Sequence, residues 1–166
     1  LLRYGVTPEP ILFGGFQQMA VRPGTEDVAL VAGLWQSLKD FEGDADRRES
    51  HLRKLRNRLQ KRLLTAAPDA IINSGSVDRT PQTLNLAFPG INRQRFLMSA
   101  DMQGLAISTG SACASGSSEP SPVLMAMGLA KEVVDGSIRI SVGLSNSMLE
   151  IDEAADRIEK ILSRLR

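Results

Sequence analysis

The chain has 166 residues, of which 42% are hydrophobic, enough for a core of ordinary size in one domain or slightly more. Its 20 basic and 19 acidic residues leave a net charge of +1, which gives no reason to expect nucleic acid or a membrane surface as a partner. A single cysteine excludes an internal disulfide. Together with the lack of a leader peptide or a long apolar run, it favours a reducing cytoplasm.

The first 43 residues predict a loop followed by one helix. The short apolar run 11–13 ends at two glycines, and the stretch from there to Gly24 is predicted to be loop. Thr25 is the predicted helix cap, with acidic residues after it at the positive end of the helix dipole. Apolar residues then recur at helical spacing up to Gly43, and we interpret them as core packing. They are Val28, Val31, Leu34, Trp35, Leu38 and Phe41.

Residues 44–64 predict a second helix with one apolar line and a basic surround. The apolar line consists of Leu52, Leu55, Leu59 and Leu63. We expect most of the surrounding lysines and arginines to face water, the alternative being a docking surface for an acidic partner. His51 on this helix is predicted to be a solvated surface residue. Because no second histidine or cysteine stands at ligand spacing, a zinc site is not expected.

Short strands and a helix follow along the chain. Residues 70–72 and 83–88 predict strands, the second of which alternates apolar and polar side chains before a Pro-Gly turn. Residues 93–104 predict a helix that ends at its glycine. Residues 105–108 predict a further short strand, which would run directly into the segment that contains the cysteine.

That cysteine, Cys113, lies in a stretch of very small residues. Of the 14 residues from 108 to 121, 11 are Gly, Ala, Ser or Thr, too small and polar to build a core. Such a loop can present a thiol, and the thiolate is the nucleophilic form. The alternative is that a single cysteine is incidental. The loop is predicted to end at Ser121, as a helix cap, with Pro122 in the first turn and a helix over 123–127.

The last strand and helix complete the pattern. Residues 138–142 alternate like a half-buried strand, which places Arg139 and Ser141 on the face opposite the apolar side chains, where an arginine can reach a cleft. Residues 147–150 form a capping-box sequence. The helix after it has a predicted buried stripe consisting of Ile151, Ala154, Ile158, Ile161, Leu162 and Leu165. There is no glycine-rich phosphate signature of a dinucleotide domain.

Several pieces of the sequence together resemble cysteine desulfurases of the class V aminotransferase family. Residues 107–116, ISTGSACASG, with 119–121 and 123–129 after them, resemble the active-cysteine region. Three further pieces occur in the family's order: 14–18 with 22–25, 83–85 with 88–90, and 138–143. The resemblance spans nearly the whole chain, and the long Ser/Gly loop resembles the branch that serves iron-sulfur cluster assembly.

The resemblance implies a fold class and a division of the chain. It implies an α/β protein, the C-terminal part of a fold-type I pyridoxal-phosphate-dependent transferase, whose α+β small domain has a short, mostly antiparallel sheet with helices packed on it. Residues 1–43 would be the tail of the large cofactor-binding domain. Residues 44–166 would be the small domain that carries the cysteine loop.

The resemblance also implies a reaction and roles for three residues. L-cysteine would be converted to L-alanine with pyridoxal phosphate as the electron sink, and Cys113 would take the sulfur as a persulfide and pass it to an acceptor such as an iron-sulfur scaffold protein. Arg139 would hold the substrate carboxylate, the alternative being an ion pair on the sheet surface. Thr25 would contact the cofactor phosphate across the interface of a homodimer, the alternative being an ordinary cap. No metal site is implied.

Two departures from the family pattern qualify these expectations. Pro23 stands where the family usually has serine in the phosphate-contact loop. The family's Schiff-base lysine, ring-stacking histidine and ring-nitrogen aspartate all fall upstream of the matched segment, so we expect this polypeptide alone to be inactive. Two alternatives stay open: a stand-alone sulfur-carrier or binding module, and a relative such as a selenocysteine lyase or another class V aminotransferase.

Overall fold

A computed structural model describes residues 3–110 and 119–166 of the chain. The chain divides into two compact units, Leu1–Asp44 and Ala45–Arg166. The first unit contains a 3₁₀ turn at Gln17–Ala20 and one helix, α1, at Val28–Gly43.

The start of α1 differs from the sequence prediction. The cap is Asp27, whose carboxylate accepts the Leu30 N–H at 3.0 Å, and not Thr25, which lies two residues earlier. An aspartate satisfies a free N–H of the first turn and also places a negative charge at the positive end of the helix dipole. For this reason the helix begins after Asp27 and leaves Thr25 in the preceding segment.

The apolar stripe of α1 was predicted to be core, and this was wrong for the part of the chain that the structure describes. All six side chains of the stripe are more than half exposed, Trp35 among them at 59%. Helical spacing identifies an apolar face because side chains three and four apart share a side of the helix. It does not identify the surface that covers that face.

In its described residues, the second unit combines five helices with a three-stranded antiparallel sheet whose strands are paired in chain order, in agreement with the predicted mostly antiparallel sheet. In chain order its elements are α2 at Ala45–Ala66, β1 at Ile71–Ile72, β2 at Thr83–Ala87, α3 at Arg93–Met102, α4 at Pro122–Ala126, α5 at Lys131–Asp135, β3 at Ser137–Ser141 and α6 at Met148–Leu165.

The strand predicted over 105–108 is reduced to one bridge. Leu105 donates its N–H to the Ala100 carbonyl at 2.9 Å, which closes the end of α3, and in this stretch Ser108 alone pairs with β3. Gly104, the predicted end of the helix, has a φ of +69°, a conformation that glycine adopts without strain.

The core lies between the inner face of the sheet and the helices α2, α3 and α6. Three of the four leucines predicted on α2, Leu55, Leu59 and Leu63, are fully buried, whereas Leu52 is partly buried against them. On α6 the capping box between Ser147 and Glu150 is present as predicted. The buried residues of this helix are Ile151, Ala155, Ile158, Ile161 and Leu162. Ala155 therefore takes the place predicted for Ala154, and Leu165, which was also predicted to be buried, is only partly buried.

Some of the basic residues that surround the apolar line of α2 form ion pairs within the chain. Arg58 donates to both carboxylate oxygens of Asp152 on α6, at 2.8 and 3.1 Å. Arg62 contacts Asp152 and two further acidic residues of α6, Asp156 at 2.6 Å and Glu159 at 3.0 Å. These two arginines therefore join α2 to α6 and are not available for an acidic partner.

His51 was predicted to be a solvated residue, and its position corrects that prediction. It is half-buried, and its ring Nε2 lies 3.2 Å from the Asn146 carbonyl oxygen, just before α6. A ring nitrogen at this distance donates to the carbonyl, so His51 fastens the N-terminal half of α2 to the segment that precedes α6.

The Asp152 cluster predicts an acid-sensitive contribution to stability. Hydrogen bonding and charge from Arg58, and then from Arg62, hold the pKa of Asp152 below its ordinary value of 3.8. A carboxyl whose folded-state pKa is lowered stabilises the fold above its unfolded pKa, and this contribution is lost as pH falls through the folded pKa. We expect Asp152→Asn to reduce the melting temperature at neutral pH and to shrink its further fall below about pH 4.

Asp101→Asn is the matched control, because Asp101 is exposed and lies outside this cluster. Thermal melts of both variants and the unaltered protein from pH 7 to pH 2 check the prediction. Equal acid-dependent losses in Asp152→Asn and the unaltered protein would contradict it.

Candidate functional site

Arg139 lies in the middle of β3, on the face of the sheet turned away from the core. Its neighbours Ile138 and Ile140 are buried on the inner face, while Arg139 is half-buried, as the alternation predicted. Its N–H donates to the Ser108 carbonyl at 2.7 Å, and its own carbonyl accepts the Ser108 N–H at 3.0 Å. The backbone of Arg139 is therefore fixed on the side away from β2.

The guanidinium of Arg139 reaches the start of the cysteine segment. Its Nη1 donates to the Gly110 carbonyl at 3.3 Å. Among residues 3–110 and 119–166, no carboxylate lies within the 4.0 Å that would make an ion pair with it. The surface ion pair, which was the alternative interpretation of this arginine, is thus not formed there, and most of the guanidinium's five N–H groups have no acceptor in that part of the chain.

The two ends of the cysteine segment meet beside Arg139. Gly110 has a φ of +77°, and a Cβ built on it would lie 3.9 Å from the Cα of Ser121. Ser121 is buried and accepts the Leu124 N–H at 3.4 Å, with Pro122 in the first turn, so the predicted cap of α4 is confirmed. Gly110 and Ser121, which flank Cys113 in the sequence, therefore lie close together.

Cys113 itself lies outside the described residues. It follows Gly110 by three residues, a length of chain that spans at most about 11 Å when fully extended. In the sequence it is therefore near Gly110, the residue whose carbonyl the Arg139 guanidinium contacts.

Thr25 belongs to the first unit and is exposed. The Arg22 guanidinium folds back along the same stretch, with Nη1 at 3.3 Å from the Gly24 carbonyl and 3.5 Å from that of Thr25. A threonine and an arginine on one short stretch are donor types that suit phosphate oxygens. The N-terminus of α1 contributes less to phosphate binding, because the Asp27 carboxylate already accepts a hydrogen bond from the first turn of the helix.

These residues fit a phosphate group, whereas none of the lysines, all of which the structure describes, lies in an environment suited to hold a pyridoxal ring covalently. All five lysines are exposed on helices: Lys39, Lys54, Lys61, Lys131 and Lys160. A lysine that forms a Schiff base is made nucleophilic by desolvation or by a neighbouring cation, and exposure prevents the first of these.

The described part of the chain has neither a metal-binding cluster nor a membrane-spanning helix. No cluster of three or more His, Cys, Asp or Glu side chains able to hold a metal ion occurs there. None of the described helices is both long and apolar enough to cross a membrane.

Sequence reasoning missed two residues near Arg139. Asn85 on β2 lies directly opposite Arg139, and Asn73, just after β1, donates its side-chain amide to that of Asn85 at 2.6 Å. The alternation of β2 was a usable signal, because it puts Asn85 on the outer face while Leu84 and Leu86 are buried.

Comparisons with known proteins show the family of the chain. Residues 14–153 match the family model described as aminotransferase class-V. The chain is 39% identical over 168 residues to the cysteine desulfurase of Nostoc sp. (strain PCC 7120) and 36% identical over 169 residues to that of Klebsiella pneumoniae. Each alignment covers 99% of this chain but 41% of the relative, so the chain spans about two fifths of the length of these curated relatives.

A solved structure gives the same result at the level of the fold. The X-ray structure of a NifS-like protein from Rickettsia africae superimposes with a TM-score of 0.80 at 28% identity, covering 95% of this chain and 41% of that one. The family model covers well over half of the chain, and the fold of the NifS-like protein agrees with the expected C-terminal α/β portion. The chain therefore belongs to the class V aminotransferase family.

Proposed function

We propose that this chain is the C-terminal part of a pyridoxal-phosphate-dependent cysteine desulfurase. The observation that supports this most is the position of Arg139, whose guanidinium contacts Gly110, where the segment containing Cys113 begins. A guanidinium, and a thiol three residues after Gly110 in the sequence, are the two groups needed to hold an amino acid by its carboxylate and to take its sulfur. The relatives named cysteine desulfurases support the same substrate.

In this proposal Arg139 binds and orients L-cysteine through its carboxylate, with two parallel N–H···O bonds. The Cys113 thiolate then attacks the substrate sulfur. A sulfur–sulfur bond forms, the carbon–sulfur bond breaks, and its electron pair stays with the substrate carbon, which is protonated to give L-alanine. L-cysteine and the Cys113 thiol thus yield L-alanine and a Cys113 persulfide. Bound pyridoxal phosphate supplies the electron sink that makes breaking this bond feasible.

The two parts of the chain take different roles in this proposal. Residues 1–43 are the tail of a large cofactor-binding domain, in which Thr25, with Arg22 beside it, contacts the cofactor phosphate across a homodimer interface. Residues 44–166 are the small domain that provides Arg139 and Cys113. The persulfide is then passed in the cytoplasm to an acceptor such as an iron-sulfur scaffold protein, which takes the outer sulfur by thiol attack.

The exposed lysines lead to a prediction for the 166-residue polypeptide taken alone. Mixed with pyridoxal phosphate and L-cysteine, it is expected to release no L-alanine, because none of its lysines is placed to bind the cofactor covalently. Chromatographic measurement of alanine checks this. Alanine formed in proportion to the polypeptide, with no other chain present, would contradict the prediction.

The reading frame upstream of Leu1 separates the proposal from a stand-alone sulfur-carrier module. The proposal expects the frame to continue into a cofactor domain that contains a lysine after a histidine. A frame that begins at this segment would favour the module instead.

A further inference from the structure

Four polar residues lie in register across the outer face of the sheet, and we call them the polar row: Asn73, Asn85, Arg139 and Ser108. Asn73 donates its backbone N–H to the Asn85 carbonyl at 3.0 Å, Asn85 pairs with Arg139, and Arg139 pairs with Ser108. Residues in register on neighbouring strands point to the same face, so the four side chains are neighbours.

A chain of hydrogen bonds fixes which end of the Asn85 amide is free. The Ser137 hydroxyl donates its one hydrogen to the Val133 carbonyl at 2.6 Å, so it can only accept from Asn73, whose Nδ2 lies 2.8 Å away. The same Nδ2 donates to Asn85 Oδ1 at 2.6 Å. The Asn85 oxygen is therefore occupied, and its NH₂ group has no acceptor among residues 3–110 and 119–166.

The orientation of the Asn73 amide in these hydrogen bonds lowers the stability of the fold. Asn73 is 4% exposed, and its own Oδ1 is buried without a hydrogen-bond partner in the described part of the molecule. A buried acceptor without a partner is unfavourable. Asn73 thus uses both amide hydrogens to hold Ser137 and Asn85 while its oxygen remains unpaired.

Strand geometry brings the free amide of Asn85 close to the guanidinium. The backbone N–H and carbonyl of Arg139 both form hydrogen bonds with Ser108, so Arg139 and Asn85 form a non-hydrogen-bonded antiparallel pair. In such a pair the Cα atoms are about 4.5 Å apart, and the side chains are closer together than in a hydrogen-bonded pair. Two groups that can donate, the Asn85 NH₂ and the Arg139 guanidinium, therefore stand side by side, and the one described acceptor on the guanidinium is the Gly110 carbonyl.

We propose that Asn85 is a second carboxylate-binding residue, which donates a hydrogen bond from its Nδ2 to the α-carboxylate of an amino-acid ligand held by Arg139. This rests on the proposed function for the identity of the substrate, L-cysteine. A carboxylate has two oxygens and accepts hydrogen bonds from several donors at once. It can therefore accept from the Arg139 guanidinium and from the neighbouring Asn85 amide together. Asn73 holds Asn85 in the orientation that makes this bond possible.

The test uses the full-length product of the reading frame, loaded with its cofactor, and calorimetric titration with L-alanine, which carries the carboxylate but no sulfur to react. Loss of a hydrogen bond to a charged group predicts that Asn85→Ala weakens L-alanine binding by about 10- to 100-fold. Asn85→Asp retains the oxygen that Asn73 bonds but places a negative charge beside the ligand, so a larger loss is expected. Thr83→Ala, on the same face of β2 and opposite Ser141, is the matched control and is expected to bind like the unaltered protein.

A second ligand distinguishes direct contact from a general disturbance of the sheet. L-alaninamide has no carboxylate charge, so the Asn85→Asp penalty is expected to be at least tenfold smaller with it than with L-alanine. Equal penalties for the two ligands, unchanged L-alanine binding in Asn85→Ala, or no L-alanine binding by the unaltered protein would each overturn the role of Asn85. Alanine formation from L-cysteine is measured separately, and its absence would refute the proposed function without deciding the binding result.

Discussion

Replacing Cys113 with serine in the full-length product is expected to abolish the formation of L-alanine from L-cysteine. The thiolate is the form that attacks sulfur, and a cysteine thiol ionises near pH 8.5, so a useful fraction is available at neutral pH. A serine hydroxyl has nearly the same size but does not ionise in this range, and its oxygen cannot carry the persulfide. The rate of alanine release, followed over at least a thousandfold range, checks the prediction.

Ser115→Ala is the matched control for this variant, because it changes a hydroxyl in the same segment and leaves the thiol in place. It is expected to retain most of the activity. Full desulfurase activity in Cys113→Ser would instead favour a selenocysteine lyase or another class V aminotransferase, in which sulfur leaves without attack by a protein thiol.

Replacing Arg139 with alanine is the second change with a large expected effect. Hydrogen bonds to charged groups contribute roughly 1.5–3 kcal/mol, and the loss of such a bond raises the KM for L-cysteine by about 10- to 150-fold. The same change removes the contact to the Gly110 carbonyl, so kcat is also expected to fall because the start of the cysteine segment loses its tether. Arg139→Lys retains the charge but not the planar guanidinium. Its KM and kcat are expected to lie between those of the unaltered protein and those of Arg139→Ala.

Arg95→Ala is the control, since this side chain is exposed on α3 and its guanidinium forms no hydrogen bond or ion pair in the described part of the chain. Steady-state kinetics of the three variants against L-cysteine provide the measurement. A KM for Arg139→Ala equal to that of Arg95→Ala would show that the guanidinium does not bind the carboxylate.

The fold was largely predictable where a local rule and the tertiary structure agree. The capping box at Ser147 and the leucine line of α2 depend on short-range spacing, and both are present. The cap of α1 was misplaced because Thr25 and Asp27 are both good caps, and Asp27 also brings a negative charge to the positive end of the helix dipole. The strand at 105–108 was overpredicted because the Leu105 N–H bonds the Ala100 carbonyl at the end of α3 instead of a neighbouring strand. The apolar pattern of residues 105–108 does not reveal this hydrogen bond.

The candidate site was predictable in part, for a similar reason. Alternation along β3 placed Arg139 on the outer face, and the small residues around Cys113 marked the segment that Gly110 begins. The link between Arg139 and Gly110 was not predictable, because it depends on a contact across 29 positions of the chain. The role of Asn85 depends on strand register and on the direction of the Asn73 amide, neither of which a single sequence specifies.

Mass spectrometry of the peptide that contains Cys113 tests the central claim most directly. The full-length protein, loaded with cofactor and treated with L-cysteine in the absence of reductant, is expected to gain one sulfur atom on Cys113 and to release one L-alanine for each sulfur gained. Treatment with a thiol reductant should remove this sulfur. Alanine released in full amount while Cys113 stays unmodified would contradict the assignment of this thiol as the sulfur acceptor.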